Sequence, residues 1–350
     1  MTQGVQLLGL RRDQAVQIGE RSGISASVAA KAHRLAHRGG RLEEEVRSTF
    51  ALGMPSIHDR IRGDDATSFR GETEKLVLEF SDGARVETVR IHRGRERESQ
   101  CLSTQVGCGM ACQFCETGRM GLLRQLEPSE IVGQVVSARS LEAWKPQNLV
   151  FQGMGEPLDN VESLIQAMEV LCDSNGLGFG RDKLTVCTAG HVEGLERLHE
   201  LGWRRLNLSL SLNACDDELR DRLMPINRRW PLCELQATLV RTRHRANAQL
   251  GIHYCLMPGL NDGRAAATAL AEFCRPLGRV LIHLIPYNPG SKPLTRAPED
   301  DEIDRFVGWL RDEGLPVRRR ITKGRASMAA CGQLGDIEHQ REMFREQRTP

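Results

Sequence analysis

Aromatic side chains are scarce in this chain, only 4% of 350 residues, so its core must be built mostly from Leu, Val, Ile and Ala. Long apolar runs are missing as well. None reaches the roughly 18 residues that mark a membrane-spanning helix, which excludes that class and any membrane partner. Met1–Arg12 has neither the apolar stretch nor the small-residue cleavage site of an export signal, so a cytoplasmic location is expected. No sign of charge dominates. With 48 basic and 46 acidic side chains the net charge is +2, so nucleic acid can be engaged only through local patches. The 40% hydrophobic and 27% charged content is ordinary for a globular chain. Its length suits one domain of about 250 residues plus a smaller one, with a monomer as the expected state.

Cysteine, by contrast, is abundant. Eleven thiols without an export signal point to metal binding and catalysis rather than a disulfide framework. The densest stretch is Cys101-Leu-Ser-Thr-Gln-Val-Gly-Cys108-Gly-Met-Ala-Cys112-Gln-Phe-Cys115, in which Cys108, Cys112 and Cys115 are spaced C-x3-C-x2-C. Three thiolates can hold a [4Fe-4S] cluster and leave one iron open for S-adenosylmethionine (SAM). Alternatively, Cys101 is the fourth ligand of a zinc knuckle. Phe114 either shields the metal centre from solvent or simply fills core.

The rest of the chain falls into parts. Residues 1–70 read as a small helical domain, in which Ser25–Arg38 forms a helix stopped by Gly39-Gly40. Its Lys31, Arg34 and Arg38 make a solvated basic face or an RNA-docking face. Residues 71–99 read as a β-rich connector, with Lys75–Phe80 and Arg85–Ile91 alternating around Ser81-Asp-Gly83.

From residue 100 to 338, strand and helix patterns alternate. Strands are expected at Gln100–Val106, Asn148–Gly153, Lys183–Thr188, Arg205–Leu212, Leu250–Met257 and Val280–Pro286. Helices are expected at Pro128–Ala143, Val161–Cys172, Val192–Leu201, Trp230–Ala246, Gly263–Cys274 and Glu299–Glu313. Six such units predict an α/β fold, a parallel sheet with right-handed crossovers, open or curled into a partial (β/α)6 barrel. Residues 339–350 read as a polar tail.

Chemistry-bearing residues fall at the C-terminal ends of these strands, where such folds place their sites. Gln152-Gly-Met-Gly155-Glu156-Pro157 follows the second strand and lets backbone approach a ligand, with Glu156 as a candidate acceptor for an ammonium. Ser209-Leu-Ser211-Leu212-Asn213 and Pro286-Tyr-Asn288 offer hydroxyl and amide groups at two further strand ends. Cys331 follows the basic run Arg318, Arg319, Arg320, Lys323, which is expected to favour its thiolate and could also contact phosphate. Cys172, Cys187, Cys215, Cys233, Cys255 and Cys274 have no partner at ligand spacing and read as small hydrophobes.

Over residues 86–338 the chain resembles the radical SAM RNA methyltransferases that include RlmN and Cfr, as a divergent member. The shared blocks are Val86-Glu87-Thr-Val, Cys101–Cys108, the three spaced cysteines, Gly153–Leu158, Met224-Pro-Ile-Asn-Arg228, Leu284–Asn288 and Ala330-Cys331-Gly-Gln-Leu334. The resemblance implies a [4Fe-4S] cluster on Cys108, Cys112 and Cys115, and two SAM molecules per turnover. It implies SAM contacts at Gly155, Glu156, Cys187, Ser211, Leu212, Asn213 and Asn288. Cys331 would accept a methyl group from one SAM. A radical generated from the other would activate that methyl, which then joins an sp2 carbon of adenosine. Cys101 would release the product through a transient disulfide with Cys331, and Glu87 would take the adenine proton. The implied partners are RNA (23S rRNA first, tRNA second), an electron donor of the flavodoxin or ferredoxin kind, and a thiol reductant.

Three places depart from the family pattern: Cys187 stands for a serine, Asn213 for a histidine, and the tripeptide Ala326-Ser-Met328 for Asp-Ile-Asp. Two other classes remain open on the residues alone: a radical SAM enzyme of another reaction type, and a zinc-bearing RNA-binding protein without catalysis.

Overall fold

The computed structural model describes residues 4–63, 73–92, 98–141, 144–242, 249–321 and 328–346. The N-terminal part holds strand β1 (Val5–Gln6), helices α1 (Arg12–Arg21) and α2 (Ala26–His37), and strand β2 (Phe50–Ala51) paired in parallel with β1. Helix α2 starts where its sequence predicts, because Ser25 caps it by accepting the Val28 amide. Next come β3 (Ser56–Gly63), β4 (Thr73–Glu79), β5 (Arg85–His92) and β6 (Glu98–Leu102), an antiparallel run. Strand β7 (Gln105–Cys108), helix α3 (Glu116–Met120) and strand β8 (Gly121–Gln125) follow, with β7 and β8 pairing as a separate small sheet.

The repeating units are α4 (Pro128–Arg139), β9 (Asn148–Phe151), α5 (Val161–Cys172), β10 (Leu184–Thr188), α6 (Val192–Glu200), β11 (Asn207–Ser211), α7 (Asp217–Leu223), α8 (Leu232–Arg241), β12 (Leu250–Leu256), α9 (Arg264–Cys274), β13 (Val280–Pro286), α10 (Asp300–Asp312) and β14 (Val317–Arg319). Helix α11 (Ile337–Glu346) ends the described chain.

One ten-stranded sheet runs in the order β14-β13-β12-β11-β10-β9-β6-β5-β4-β3. Strand β6 and β9 to β14 are parallel, and the last three strands extend that sheet antiparallel. Its edges β3 and β14 do not pair, so the sheet is open, in line with the expected α/β partial barrel. The parallel strands form for the usual reason. Runs such as Val-Leu-Ile-His-Leu-Ile-Pro in β13 are largely buried on both faces, with helices covering the outside. Helix α5 buries Leu164, Ile165, Ala167, Met168, Val170 and Leu171, a helical stripe against the sheet. Each such Leu or Ile contributes about 1.5–3 kcal/mol through burial. Helix α4 begins at Pro128 as predicted, with a capping box between Glu127 and Glu130.

Several expectations need correction. Gln100–Val106 is not one strand. It breaks after Leu102, where Leu102 O accepts the Gly153 amide and Ser103 Oγ donates to Glu87 O. The region expected to be a small helical domain, 1–70, also contains β1, β2 and β3, the last forming an edge of the main sheet. The basic run contributes a seventh parallel strand, β14, which the sequence pattern did not suggest. The helices expected to reach Ala143 and Ala246 stop at Arg139 and Arg241, and residues 142–143 and 243–248 lie outside the described set. The stretch expected to be a polar tail is largely helix α11. It buries Gln340 and Met343, and its first turn is tied to the β4–β5 turn, where His339 Nε2 lies 3.0 Å from Gly83 O.

Candidate active site

The three spaced cysteines sit between β7 and α3. Cys108 ends β7, Ala111 turns the backbone at φ +53°, and Cys115 is the N-cap residue of α3. Gln113 N donates to Leu223 O at 3.0 Å, tying the loop to α7. Any side chain at Gly118 would place its Cβ 2.8 Å from both the N and O of Cys112, so the helix closes on the loop only with glycine there. Burial pushes the Cys108 thiol up to about 12, and also raises Cys112 and Cys115. Cys115 adds to the rise at the other two, while the Arg220 charge opposes it at Cys112. At Cys115 the amides of Thr117 and Gly118 and the Thr117 hydroxyl act in the opposite sense to burial, favouring thiolate. Arg220 is 1% exposed and is fixed by Leu212 O, Ala189 O and Asn227 Oδ1 at 2.7–3.1 Å.

These cysteines line an inner cavity of about 180 Å³. It adjoins a second, outer cavity of about 340 Å³, lined in addition by Thr73, His92, Arg319, Arg320 and the exposed Ile321. Cys101 and Cys331 line both, although 101 lies on β6 and 331 follows the last parallel strand. Phe114 also lines the inner cavity.

The strand ends converge as the sequence suggested, with differences in detail. Gly155, Glu156, Cys187, Ser211 and Asn213 line the inner cavity. Gly155 has φ +99°, and a Cβ there would lie 2.6–2.9 Å from Gln105. Gly155→Ala is therefore expected to cost about 1–3 kcal/mol of stability, read by urea unfolding. The Glu156 carboxylate accepts the amides of Leu158 (3.1 Å) and Ala189 (2.7 Å); burial raises its pKa and those bonds counter the rise. Leu212 is fully buried and does not line either cavity; its amide and carbonyl hold His253 O and Arg220. Asn213 sits at φ +61°, a conformation asparagine tolerates better than most residues. Its Oδ1 accepts the Cys255 amide at 2.9 Å and its Nδ2 donates to Met224 Sδ, so its amide braces neighbouring residues of the cavity wall. Asn288 lines the outer cavity, not the inner one, and donates to Cys331 O at 3.4 Å.

The segment carrying Cys331 is docked on this site. Gly332 O accepts the Glu116 amide (2.8 Å), Leu334 O the Thr117 hydroxyl (2.6 Å), and Pro289 O the Gln333 side chain (3.0 Å). Cys331 presents surface to solvent, yet its thiol lies among protein atoms and burial raises its pKa. Among the described residues of the basic run Arg320 pulls the other way, but burial outweighs it, so the expected preference for thiolate is not met. Arg319 is engaged by Asp300 and Asp304, and Lys323 lies outside the described residues. Glu87 is buried beside the cavities without lining them. Its carboxylate accepts Lys75 Nζ and the Gly335 amide, both at 2.9 Å. Burial raises its pKa and Lys75 opposes that.

Sequence reasoning gives no role to the side chains of Thr117, Lys75, Gln152 and His253 and reads Cys255 as a small hydrophobe. Gln152 Nε2 and His253 Nδ1 are 3.2 Å apart, and the Cys187 thiol donates to Gln152 Oε1 at 3.5 Å. A signal existed. Cys187, Ser209, Ser211, His253, Cys255 and His283 occupy alternate positions on one face of strands whose other face is apolar, and neighbours among them pair in register. Buried parallel strands normally lack such a polar row.

The arrangement matches known proteins. The Radical SAM superfamily model matches residues 102–274. A dual-specificity RNA methyltransferase RlmN of Syntrophotalea carbinolica is 40% identical over 276 residues, covering 79% of this chain and 73% of that protein. Another, of Granulibacter bethesdensis, is 34% identical over 355 residues, covering 94% and 86%. This chain belongs to the RlmN family of radical SAM RNA methyltransferases. The crystal structure of a radical SAM methyltransferase from Sphaerobacter thermophilus has a similar fold, with a TM-score of 0.87, 33% identity and coverage of 94% of this chain and 99% of that one.

The family's [4Fe-4S] cluster and SAM fit the residues present. Three thiols, Cys108, Cys112 and Cys115, line the inner cavity together with Gly155 and Glu156. Each of three cluster irons takes one thiolate, so a cluster suits ligands arranged around a space. The amides and hydroxyl directed at Cys115 favour the thiolate that ligation requires. Among the described residues no helix is long and apolar enough to cross a membrane.

Proposed function

We propose that this chain methylates an sp2 carbon of adenosine in RNA, with 23S rRNA as the first candidate and tRNA as the second. The methyl is carried on Cys331 and released through Cys101. The observation that carries this reading is that Cys101 and Cys331 line the same two cavities, one of which also holds the three cluster cysteines.

An aryl carbon is too weak a nucleophile to displace a methyl from SAM, so the methyl must first sit on a protein sulfur. Cys331 takes it, losing its thiol proton. When bound, the cluster and a second SAM supply the hydrogen-abstracting radical that activates this methyl. Cys331 then holds the carbon against an adenine extruded from its stack into the outer cavity, at a cost of a few kcal/mol. Glu87 takes the proton from the adenine carbon, and the one unpaired electron that the radical brought to the ring is given up to the oxidised cluster, leaving a closed-shell thioether between adenine and Cys331. Cys101 attacks the Cys331 sulfur; the S–S bond forms as the C–S bond breaks, and the pair left on carbon is met by a proton. A thiol reductant returns two electrons to the disulfide. A one-electron donor such as flavodoxin or ferredoxin serves the cluster.

Mass spectrometry of rRNA and tRNA nucleosides from cells with and without this protein tests the reading. A methyladenosine that disappears with the protein supports it, and its position and RNA class come from the same data. Unchanged adenosines would end it. Glu87→Gln is expected to slow methylation by about 10²–10⁴-fold while 5′-deoxyadenosine formation continues. The acid limb of the pH–rate profile should lie above the ordinary carboxylate range, because burial raises Glu87 and activity needs its ionised form. An unchanged rate in Glu87→Gln would remove Glu87 from proton transfer.

A further inference from the structure

Lys75 has no part in the chemistry above, yet its placement is unusual. It is an ammonium on β4, 4% exposed, with two partners. Its Nζ donates to Glu87 Oε1 at 2.9 Å and to Met328 O at 3.3 Å. The other oxygen of Glu87 accepts the Gly335 amide at 2.9 Å. Met328 and Gly335 bracket Cys331, so one buried ion pair holds both ends of the segment that carries the thiol. Met328 stands at φ +49°, which a residue with a long side chain adopts only where contacts impose it. The middle of the segment is held separately, on Glu116 and Thr117 of the cluster helix. Besides Lys75, the charged group acting on Glu87 is Asp336, just beyond Gly335.

We propose that Lys75 is a positioning residue for the Cys331 segment, and that the Lys75–Glu87 pair is a clamp released by the proton Glu87 accepts. This rests on Glu87 being the base. While the carboxylate is ionised, Lys75 is bound to it and the segment is anchored at Met328 and Gly335, presenting Cys331 to the cavities. The proton then leaves the adenine carbon, its electron pair restores the ring as the unpaired electron is given up, and the carboxylate becomes a carboxylic acid. The buried ammonium loses its counter-charge, an arrangement that proteins tolerate poorly. Both anchors weaken together, because a neutral acid is also a poorer acceptor for the Gly335 amide. The segment is freed at the stage when Cys331 must offer its sulfur to Cys101. Proton transfer to the base thus precedes disulfide formation.

Hydrogen exchange of residues 328–335 and the alkylation rate of Cys331 by iodoacetamide test this in the full-length, cluster-loaded protein without RNA. In Lys75→Met and in Glu87→Gln, which mimics the protonated acid, both rates should rise at least about 10-fold, with β12 still protected. Lys75→Arg should restore most of the protection. Wild-type protection of 328–335 in both Lys75→Met and Glu87→Gln would overturn the clamp. If Lys75→Met fails to fold, Glu87→Gln decides alone. The two ideas fail separately: a Glu87→Gln protein with a loosened segment and normal methylation loses the base but keeps the clamp. A protected segment with lost methylation does the reverse.

Discussion

Replacing Cys331 by alanine is expected to lower RNA methylation by at least about 10³-fold, while iron content stays unchanged. Its sulfur is the carrier in the proposed reaction, and the three cluster thiols are others. Cys187 and Cys255 line the inner cavity too, but neither should substitute. Both lie on central strands and line only the inner cavity, whereas Cys331 also lines the outer one where the adenine is proposed to sit. Cys101→Ala should fail at a different point. Methyl transfer to Cys331 and carbon–carbon bond formation would proceed, but no thiol would attack the Cys331 sulfur. RNA should then remain attached to the protein through the Cys331 thioether. Denaturing gels of labelled RNA would show this adduct in Cys101→Ala, and none when Cys331→Ala is added. Undiminished methylation by Cys331→Ala would dismiss the carrier role.

The cysteine loop and the glycine turn were legible because their chemistry is local: spacing fixes which thiols share a loop, and Gly155 meets a positive φ. The parallel strands were legible because burial on both faces leaves continuous apolar runs. What escaped depended on pairing. Strand β14 is three residues long and reads Val-Arg-Arg; only its register with β13 makes it a strand. The Lys75–Glu87 pair depends on the antiparallel register that sets Val77 opposite Glu87, which puts Lys75 on the diagonal. Helix α11 is polar in sequence, and among its described side chains only Gln340 and Met343 are buried. The expected Cys331 thiolate failed for a related reason. Sequence shows nearby charge but not the burial that outweighs it, nor that Arg319 is already paired to Asp300 and Asp304.

Cys112→Ser is expected to remove the cluster, dropping iron from about four per chain toward none, and with it all SAM cleavage and methylation. The fold should survive. The loop keeps its Gln113–Leu223 bond and α3 keeps its own contacts with Gly332 and Leu334. Arg220 would then lose an anionic neighbour, but its three hydrogen bonds remain. Iron in Cys101→Ala is the companion measurement, because it separates the cluster from the zinc knuckle that the sequence left open. A zinc site using Cys101 as fourth ligand would lose its metal in that variant. A cluster on Cys108, Cys112 and Cys115 would keep its iron in full. Cys101 sits at the boundary of the inner and outer cavities, on β6, whereas the other three share one loop. Metal retained in Cys101→Ala and lost in Cys112→Ser excludes the first thiol as a ligand and places the metal on the loop cysteines, leaving Cys101 for the release step that the RNA adduct reports.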